Sequence, residues 1–406
     1  MSALSDQSAP ARPQAIGEVF RIFLRLGLTS FGGPIAHLGY FREEFVVRRR
    51  WLDENAFADL VALCQFLPGP ASSQVGFALG LSRGGLRGGL AAWLGFTMPS
   101  AVALFLFAEL AGSLNGPIAT AALHGLKIVA VAVVAQAVWG MARTLASDLQ
   151  RIAIGIGAAL IVAYFPGSLA QIAAILFGAT LGLILCRQIT PVPTGHLAFS
   201  ISPRLGIASL VAFATILFAL PLAAATLPNP ALVLFDAFYR SGALVFGGGH
   251  VVLPLLKATL VDPGLVTSNV FLSGYGAAQA VPGPLFTVAA YLGAMATTGP
   301  NGFAGAAIAI VGLFLPGMLI LLGALPFWDQ FRRRLSAQAV MRGVNAAVVG
   351  ILAAALYDPV WTGAVHSTRD FALALAGFLL LTAAKCPPWI VVVGTTVSTI
   401  AVAAFG

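Results

Sequence analysis

Apolar residues run along this chain in long blocks separated by short polar, arginine-bearing stretches, with no period-two alternation that would mark strands. Thirteen blocks stand out, at about 16–40, 57–80, 88–111, 117–143, 151–166, 168–186, 206–226, 231–256, 270–296, 302–326, 337–357, 370–384 and 388–405. Most approach the ~20 residues that a helix needs to cross a hydrocarbon core, and several fall short. The pattern predicts an all-α polytopic membrane protein. Residues 1–15 read as a polar N-terminal tail, without the apolar centre of a signal peptide. Residues 187–205, with Pro191, Pro193 and Pro203, read as a linker.

The blocks repeat. Residues 23–33 (Phe-Leu-Arg-Leu-Gly-Leu-Thr-Ser-Phe-Gly-Gly) are echoed by 238–248 (Phe-Tyr-Arg-Ser-Gly-Ala-Leu-Val-Phe-Gly-Gly), an offset of 215 from Phe31 to Phe246. Gln65-Phe-Leu-Pro68-Gly69-Pro70 is echoed by Gln279-Ala-Val-Pro282-Gly283-Pro284, an offset of 214 from Pro68 to Pro282. Gly125-Leu-Lys127 is matched by Gly343-Val-Asn345, an offset of 218. This divides the chain into a first transporter repeat (16–186), a linker with a connecting transmembrane helix (187–230) and a second repeat (231–406). Paired halves with helices broken at matching places are how membrane transporters build a polar site at the bilayer midplane.

Charge then orients the blocks. If all thirteen spanned, the loop carrying Arg42, Arg48, Arg49 and Arg50 would face away from the loop carrying Arg332, Arg333 and Arg334, against the positive-inside rule. Treating the four blocks that hold Phe-Gly-Gly and Pro-Gly-Pro as re-entrant hairpins puts loops 41–56, 81–87, 143–151, 187–205 and 327–336 on one cytoplasmic side. The second repeat is then inverted, with 206–226 as the span that flips it. Re-entrant backbone is tolerated only against protein or a water-filled cavity.

Composition agrees: 59% of the 406 residues are hydrophobic and 9% charged. The net charge of +8 belongs to cytoplasmic loops and does not call for a nucleic-acid partner. Cys64, Cys186 and Cys386 are scattered through apolar stretches and read as spectator thiols. With no metal-ligand spacing, nucleotide loop or catalytic cluster, neither a cofactor nor an enzymatic activity is expected.

Each Pro-Gly-Pro should split a helix, because proline lacks an amide hydrogen and glycine lets the chain reverse. The half-helix after Pro70 or Pro284 would then present free amides and a positive dipole end at membrane depth, a setting for an anion. Ser72, Ser73 and Thr287 in those first turns, and Gln65 and Gln279 just upstream, could add donors. The competing reading is a structural kink. Gly32 and Gly33, like Gly247 and Gly248, bring bare backbone to a ligand or to a neighbouring helix. Arg25 and Arg240 occupy matched positions and suit either an oxyanion or a membrane surface. Lys127 falls about 15 Å into its block by helical rise, where it contacts substrate or pairs with a carboxylate such as Glu109. Its counterpart is Asn345. His37, His124 and His250 read mainly as satisfied buried histidines, His250 being the strongest site candidate of the three. Asp59 and Asp236 read as helix-start residues.

These residues resemble the chromate ion transporter family of the long, two-domain type. The resemblance rests on Ser30-Phe-Gly-Gly-Pro-Ile-Ala-His37, Arg49-Arg50-Trp51-Leu52 and Gln65-Phe-Leu-Pro-Gly-Pro-Ala-Ser-Ser-Gln74-Val-Gly in the first half. Phe246-Gly-Gly-Gly-His250-Val-Val-Leu-Pro254 and Gln279-Ala-Val-Pro-Gly-Pro284 carry it in the second. It implies a bacterial inner-membrane protein that exports chromate and confers resistance to it, in a family also linked to sulfate.

The expectation is therefore a secondary transporter of a tetrahedral dianion. The substrate would be held between the two Pro-Gly-Pro hairpins, with Lys127, Arg25 and Arg240 neutralising its charge. Rocking of the repeats would alternate access. Sulfate or another oxyanion, in uptake or exchange, is the alternative, with a membrane enzyme or a channel more remote. The bilayer is the one expected macromolecular setting, and a homodimer is left open.

Overall fold

The computed structural model describes residues 13–113, 116–165, 167–187, 201–227, 229–331 and 334–405. The polar tail before residue 13, linker residues 188–200 and Arg332–Arg333 lie outside them. The first half contributes α1 (Pro13–Thr29), α2 (Gly33–Arg42), α3 (Glu54–Phe66), α4 (Ala71–Ser113), α5 (Pro117–Leu145), α6 (Leu149–Tyr164) and α7 (Ser168–Leu185). Helix α8 (Pro203–Thr226) follows. The second half begins with α9 (Pro230–Ala243), α10 (Val252–Leu256), α11 (Ser268–Ala278), α12 (Val288–Ala294) and α13 (Gly302–Ala324). It ends with α14 (Trp328–Phe331), α15 (Leu335–Ala355), α16 (Thr368–Thr382) and α17 (Pro388–Phe405). No strand occurs among the described residues. Five helical stretches are long and apolar enough to cross a membrane: Ala71–Gly112, Pro117–Leu145, Pro203–Thr226, Gly302–Phe327 and Leu335–Trp361. The protein is an all-α polytopic membrane protein.

Both signatures break helices. Phe-Gly-Gly separates α1 from α2 and closes the region after α9, while Pro-Gly-Pro separates α3 from α4 and α11 from the turn Leu285–Thr287 that leads into α12. Gly69 (φ 125) and Gly283 (φ 100) occupy backbone space that a side chain strongly disfavours, so the reversal depends on glycine there. Helix α4 itself carries a break, with non-helical backbone at Gly84 and Gly85, so that its two parts match the separate α12 and α13. The starts of α3 and α11 are capped at matched positions. Asp53 accepts from the Ala56 amide and Thr267 from the Val270 amide.

Packing follows the same two-fold logic. Within each half the first helix lies against the long proline-containing helix: Gly27 of α1 meets the carbonyls of Gly95 and Phe96, and Gly242 of α9 meets the carbonyl of Leu313. The last helices cross over instead. Gly125 of α5 faces Thr396 and Thr399 of α17, while Gly343 of α15 faces Gly178 and Gly182 of α7. Small residues allow these close approaches, which in lipid must be driven by contact rather than by the hydrophobic effect. Two bundles result, each built from both halves: α1, α4, α9, α12 and α13 with α8 at their edge, and α5–α7 with α15–α17. Only 6% of the apolar window of α8 is buried, so this connecting helix presents most of its surface outward.

Two expected helix starts fall elsewhere. Asp59 lies in the middle of α3, buried, and accepts from the indole of Trp328 at 3.2 Å; Asp53 is the cap. Asp236 lies inside α9, where Asn229 is the cap, and is ion-paired with Arg240 one turn on. In both places a tertiary or i,i+4 partner, rather than the helix end, accounts for the carboxylate.

Candidate functional site

The two broken regions of each half meet those of the other. The amide of Gly69 donates to the carbonyl of Val245 at 2.8 Å, and the amide of Gly283 donates to the carbonyl of Ser30 at 2.9 Å. Val245 and Ser30 each precede a Phe-Gly-Gly, so every Pro-Gly-Pro reversal is docked on the Phe-Gly-Gly break of the opposite half. The reversals also abut the opposite long helix just past its internal proline. A Cβ on Gly69 would lie 2.9 Å from the Gly317 Cα, and one on Gly283 would lie 2.7 Å from the Ser100 Oγ. Four chain breaks thus converge on two crossings, and two half-helices begin there. The first helical amides after Pro70 and Pro284 have no partner within their own helices. Intrahelical bonding starts only with the Gln74 amide to the Pro70 carbonyl (2.9 Å) and the Thr287 amide to the Pro284 carbonyl (3.0 Å).

The crossings differ in chemistry. Where Gly69 meets Val245, the side-chain amide of Gln74 donates to the carbonyls of Pro68 (3.0 Å) and Gly317 (2.8 Å), tying the reversal to the opposite helix. Where Gly283 meets Ser30, hydroxyls and an imidazole gather. His37 Nδ1 lies 3.4 Å from Ser72 Oγ, and its ring stands edge-on to Phe96 at 5.2 Å. Ser100 donates to the Thr97 carbonyl at 3.1 Å. Ser30 Oγ, His37 Nε2, Ser73 Oγ and Thr97 Oγ1 are buried without a protein partner. Buried polar groups are ordinarily paired.

The remaining expected site residues are dispersed. Thr287 donates to the Pro284 carbonyl at 2.7 Å, stapling the second reversal. Gln65 is exposed, whereas the amide nitrogen of Gln279 is buried and unpartnered. Gly32 and Gly33 begin α2, while Gly247 and Gly248 lie between α9 and α10. Asn345 Oδ1, buried and unpartnered, sits 3.4 Å from where a Cβ on Gly247 would lie. His250 bonds through Nδ1 to the Tyr275 hydroxyl at 2.7 Å. Lys127 donates to Asn269 at 3.2 Å and feels the charge of Asp370, so its neighbours come from the second half and do not include Glu109. Arg25 is exposed beside the acidic Glu44, and Arg240 pairs with Asp236 at 2.6 Å. His124 pairs with Asp370 at 2.8 Å and stacks on His366, on the wall of a cavity of about 600 Å³. Ser30, Gln74, Thr97 and Ser100 join the expected groups only through the tertiary contacts. Thr97 and Ser100 flank Pro99 inside an apolar block, the local pattern that marks them.

The chain matches the family described as chromate transporter over residues 17–183 and 232–400. It belongs to the chromate transporter family. It is 30% identical over 359 residues to a chromate transport protein of Pseudomonas aeruginosa, covering 85% of this chain and 81% of that one. An uncharacterized transporter of Methanocaldococcus jannaschii is 26% identical, covering 84% of this chain and 83% of that one. A chromate transport protein of Cupriavidus metallidurans is 26% identical, covering 87% and 84%. No solved structure matches. For a chromate transporter, an oxyanion substrate and a membrane setting follow.

Proposed function

We propose that the protein is a secondary transporter that exports chromate across a bacterial inner membrane and so confers chromate resistance. The observation that carries this reading is the convergence of two helix starts with unpaired buried donors at the crossings. A tetrahedral dianion offers only acceptors, and free amides, hydroxyls and the positive ends of helix dipoles supply the donors it needs. Lys127, Arg25 and Arg240 contribute positive potential along the route rather than direct contacts in the conformation described.

Moving one charge across 100 mV is worth about 2.3 kcal/mol, so a dianion leaving a negative interior gains roughly 4–5 kcal/mol at that potential. An inside-negative potential is sufficient to drive export. The two repeats, 16–186 and 231–406, lie inverted about the connecting helix α8. Because they interlock at both crossings and exchange their last helices, the moving bodies are the two composite bundles rather than one repeat against the other. Ser30, His37 and Thr97 are 0% exposed, so substrate reaches them when those bundles shift.

The test is chromate accumulation in cells expressing the protein, with and without excess sulfate and after collapse of the membrane potential. Lower accumulation that is lost on collapse supports potential-driven export, and reversal by sulfate places both anions at one site. Accumulation equal to that of cells lacking the protein rejects the reading.

A further inference from the structure

The two crossings are related by the repeat, and Ser73 keeps a hydroxyl counterpart in Thr287, yet five other matched positions carry opposite chemistry. Ser30 corresponds to Val245 and His37 to Val252 (offset 215), Ser72 to Phe286 (offset 214), and Thr97 to Phe314 and Ser100 to Gly317 (offset 217). The register is anchored by packing, since Gly95 and Gly312 play the same part against α1 and α9, and Pro99 matches Pro316. In the first half these positions form a buried group of hydroxyls around an imidazole. In the second half, Phe286 and Phe314 pack ring to ring at 5.7 Å, and Val245 and Val252 are fully buried. The neighbouring polar side chain there, Gln74, spends its amide nitrogen on two carbonyls.

Resting on the transporter reading above, we infer that the oxyanion is bound asymmetrically, by Ser30, His37 and Thr97 of the first half at the crossing with Gly283, while the matched surface of the second half is an apolar seal. The hydrogen-bond pattern assigns the imidazole its role. His37 Nδ1 lies 3.4 Å from Ser72 Oγ and Nε2 has no side-chain partner; in the tautomer with Ser72 Oγ–H donating to Nδ1, the ring proton sits on Nε2. In that tautomer Nε2–H joins Ser30 Oγ–H and Thr97 Oγ1–H as buried donors without a side-chain partner, on residues that are 0% exposed. They belong to segments that meet at Gly283: the Ser30 carbonyl accepts the Gly283 amide, the His37 ring stands edge-on to Phe96 at 5.2 Å, and the carbonyl of Phe96, which precedes Thr97, lies 3.3 Å from a Cβ placed on Gly283. A neutral imidazole and two hydroxyls hold an anion through hydrogen bonds without fixing it by a full charge, which favours release on the far side.

The matched residues supply Ser30→Val and His37→Val, each side chain being already accommodated at the equivalent place in the fold, while Thr97→Val replaces the hydroxyl by a methyl of the same shape. Purified protein in lipid nanodiscs is assayed by equilibrium dialysis with radiolabelled sulfate and chromate, and transport is measured in parallel in proteoliposomes. Ser30→Val, His37→Val and Thr97→Val each raise Kd at least tenfold for both anions, His37→Gln stays within about threefold, and Val252→Ala leaves binding unchanged. Thermal midpoints of the same samples identify any variant that fails to fold, and the three valine variants are independent of one another. Wild-type transport together with unaltered Kd in folded Ser30→Val and Thr97→Val overturns the asymmetric site while leaving the transporter reading intact. Wild-type protein that neither binds nor transports either anion overturns both.

Discussion

The backbone amide of Gly283, in the second half of the chain, donates to the carbonyl oxygen of Ser30 in the first across 2.9 Å. The bond spans more than half the sequence and joins two helix breaks that have no helical partners of their own. It requires glycine at 283, where φ is 100° and a Cβ would meet both Ser100 and Phe96. Alanine there brings left-handed strain of about 1–2 kcal/mol and displaces its neighbours as well. Gly283→Ala is expected to lower the thermal midpoint in detergent and to cut chromate transport at least tenfold. Gly33→Ala, with strained backbone but open space, should show the smaller loss of stability. Equal stability for both would mean that the crossing is not under steric control.

Asp236 and Arg240 form an ion pair whose carboxylate side chain is only 5% exposed. Removing one partner of a buried pair costs about 3–5 kcal/mol, at the lower end here because the arginine is a third exposed. Arg240→Ala is expected to reduce membrane-inserted yield and the thermal midpoint, with Asp236→Asn/Arg240→Gln recovering much of both. Arg240→Ala protein as stable as wild type would assign this arginine to substrate rather than to Asp236.

Lys127 reaches across to Asn269 in a half-buried setting. Lys127→Ala is expected to abolish chromate resistance with protein still present in the membrane by immunoblot, and Lys127→Arg to retain part of it. Resistance at the wild-type level in Lys127→Ala would remove this residue from the pathway.

Glu44, in the turn after α2, is held by Arg48 at 2.9 Å and Arg49 at 2.7 Å. Burial by itself would raise its carboxyl, but the hydrogen bond from Arg49 and the charges of Arg48, Arg49 and Arg25 outweigh burial and hold it below the usual carboxylate range. A depressed folded value contributes stability above the unfolded pKa of about 4.3, and that stability disappears as pH falls through the folded value. Wild type should therefore exceed Glu44→Gln in thermal midpoint at pH 7, with the gap closing as the pH is taken below about 4. A gap independent of pH would contradict the ion-pair account.

Gly343 of α15 packs directly on Gly178 and Gly182 of α7, a contact between halves with no room for a side chain. Gly343→Leu overpacks it by about 1–3 kcal/mol or more. The expected outcome is a lower thermal midpoint and a poorer monodisperse yield on size exclusion than for Leu at the open Gly394. Similar behaviour of the two variants would argue that α7 and α15 tolerate separation.

Helix boundaries were legible in the sequence because they depend on local chemistry. The block at 117–143 became α5 (Pro117–Leu145), that at 302–326 became α13 (Gly302–Ala324), and the breaks fell at Phe-Gly-Gly and Pro-Gly-Pro, where proline and glycine allow nothing else. The Asp236–Arg240 pair is legible too, because its residues stand one helical turn apart. The contact of Trp328 with Asp59 had no such signal, since 269 residues separate them.

By itself, the sequence determined that this is a helical membrane protein of two matched halves, since hydrophobicity, repeat offsets and helix-breaking residues act within a few turns of chain. Only the tertiary structure decided that the halves interlock, with Gly69 on Val245 and Gly283 on Ser30, and that buried His37 lies against Ser72 and Phe96. Those pairings are between backbone groups and small side chains on distant segments. Their partners are set by how closely glycine-lined helices approach in space, which no local pattern encodes.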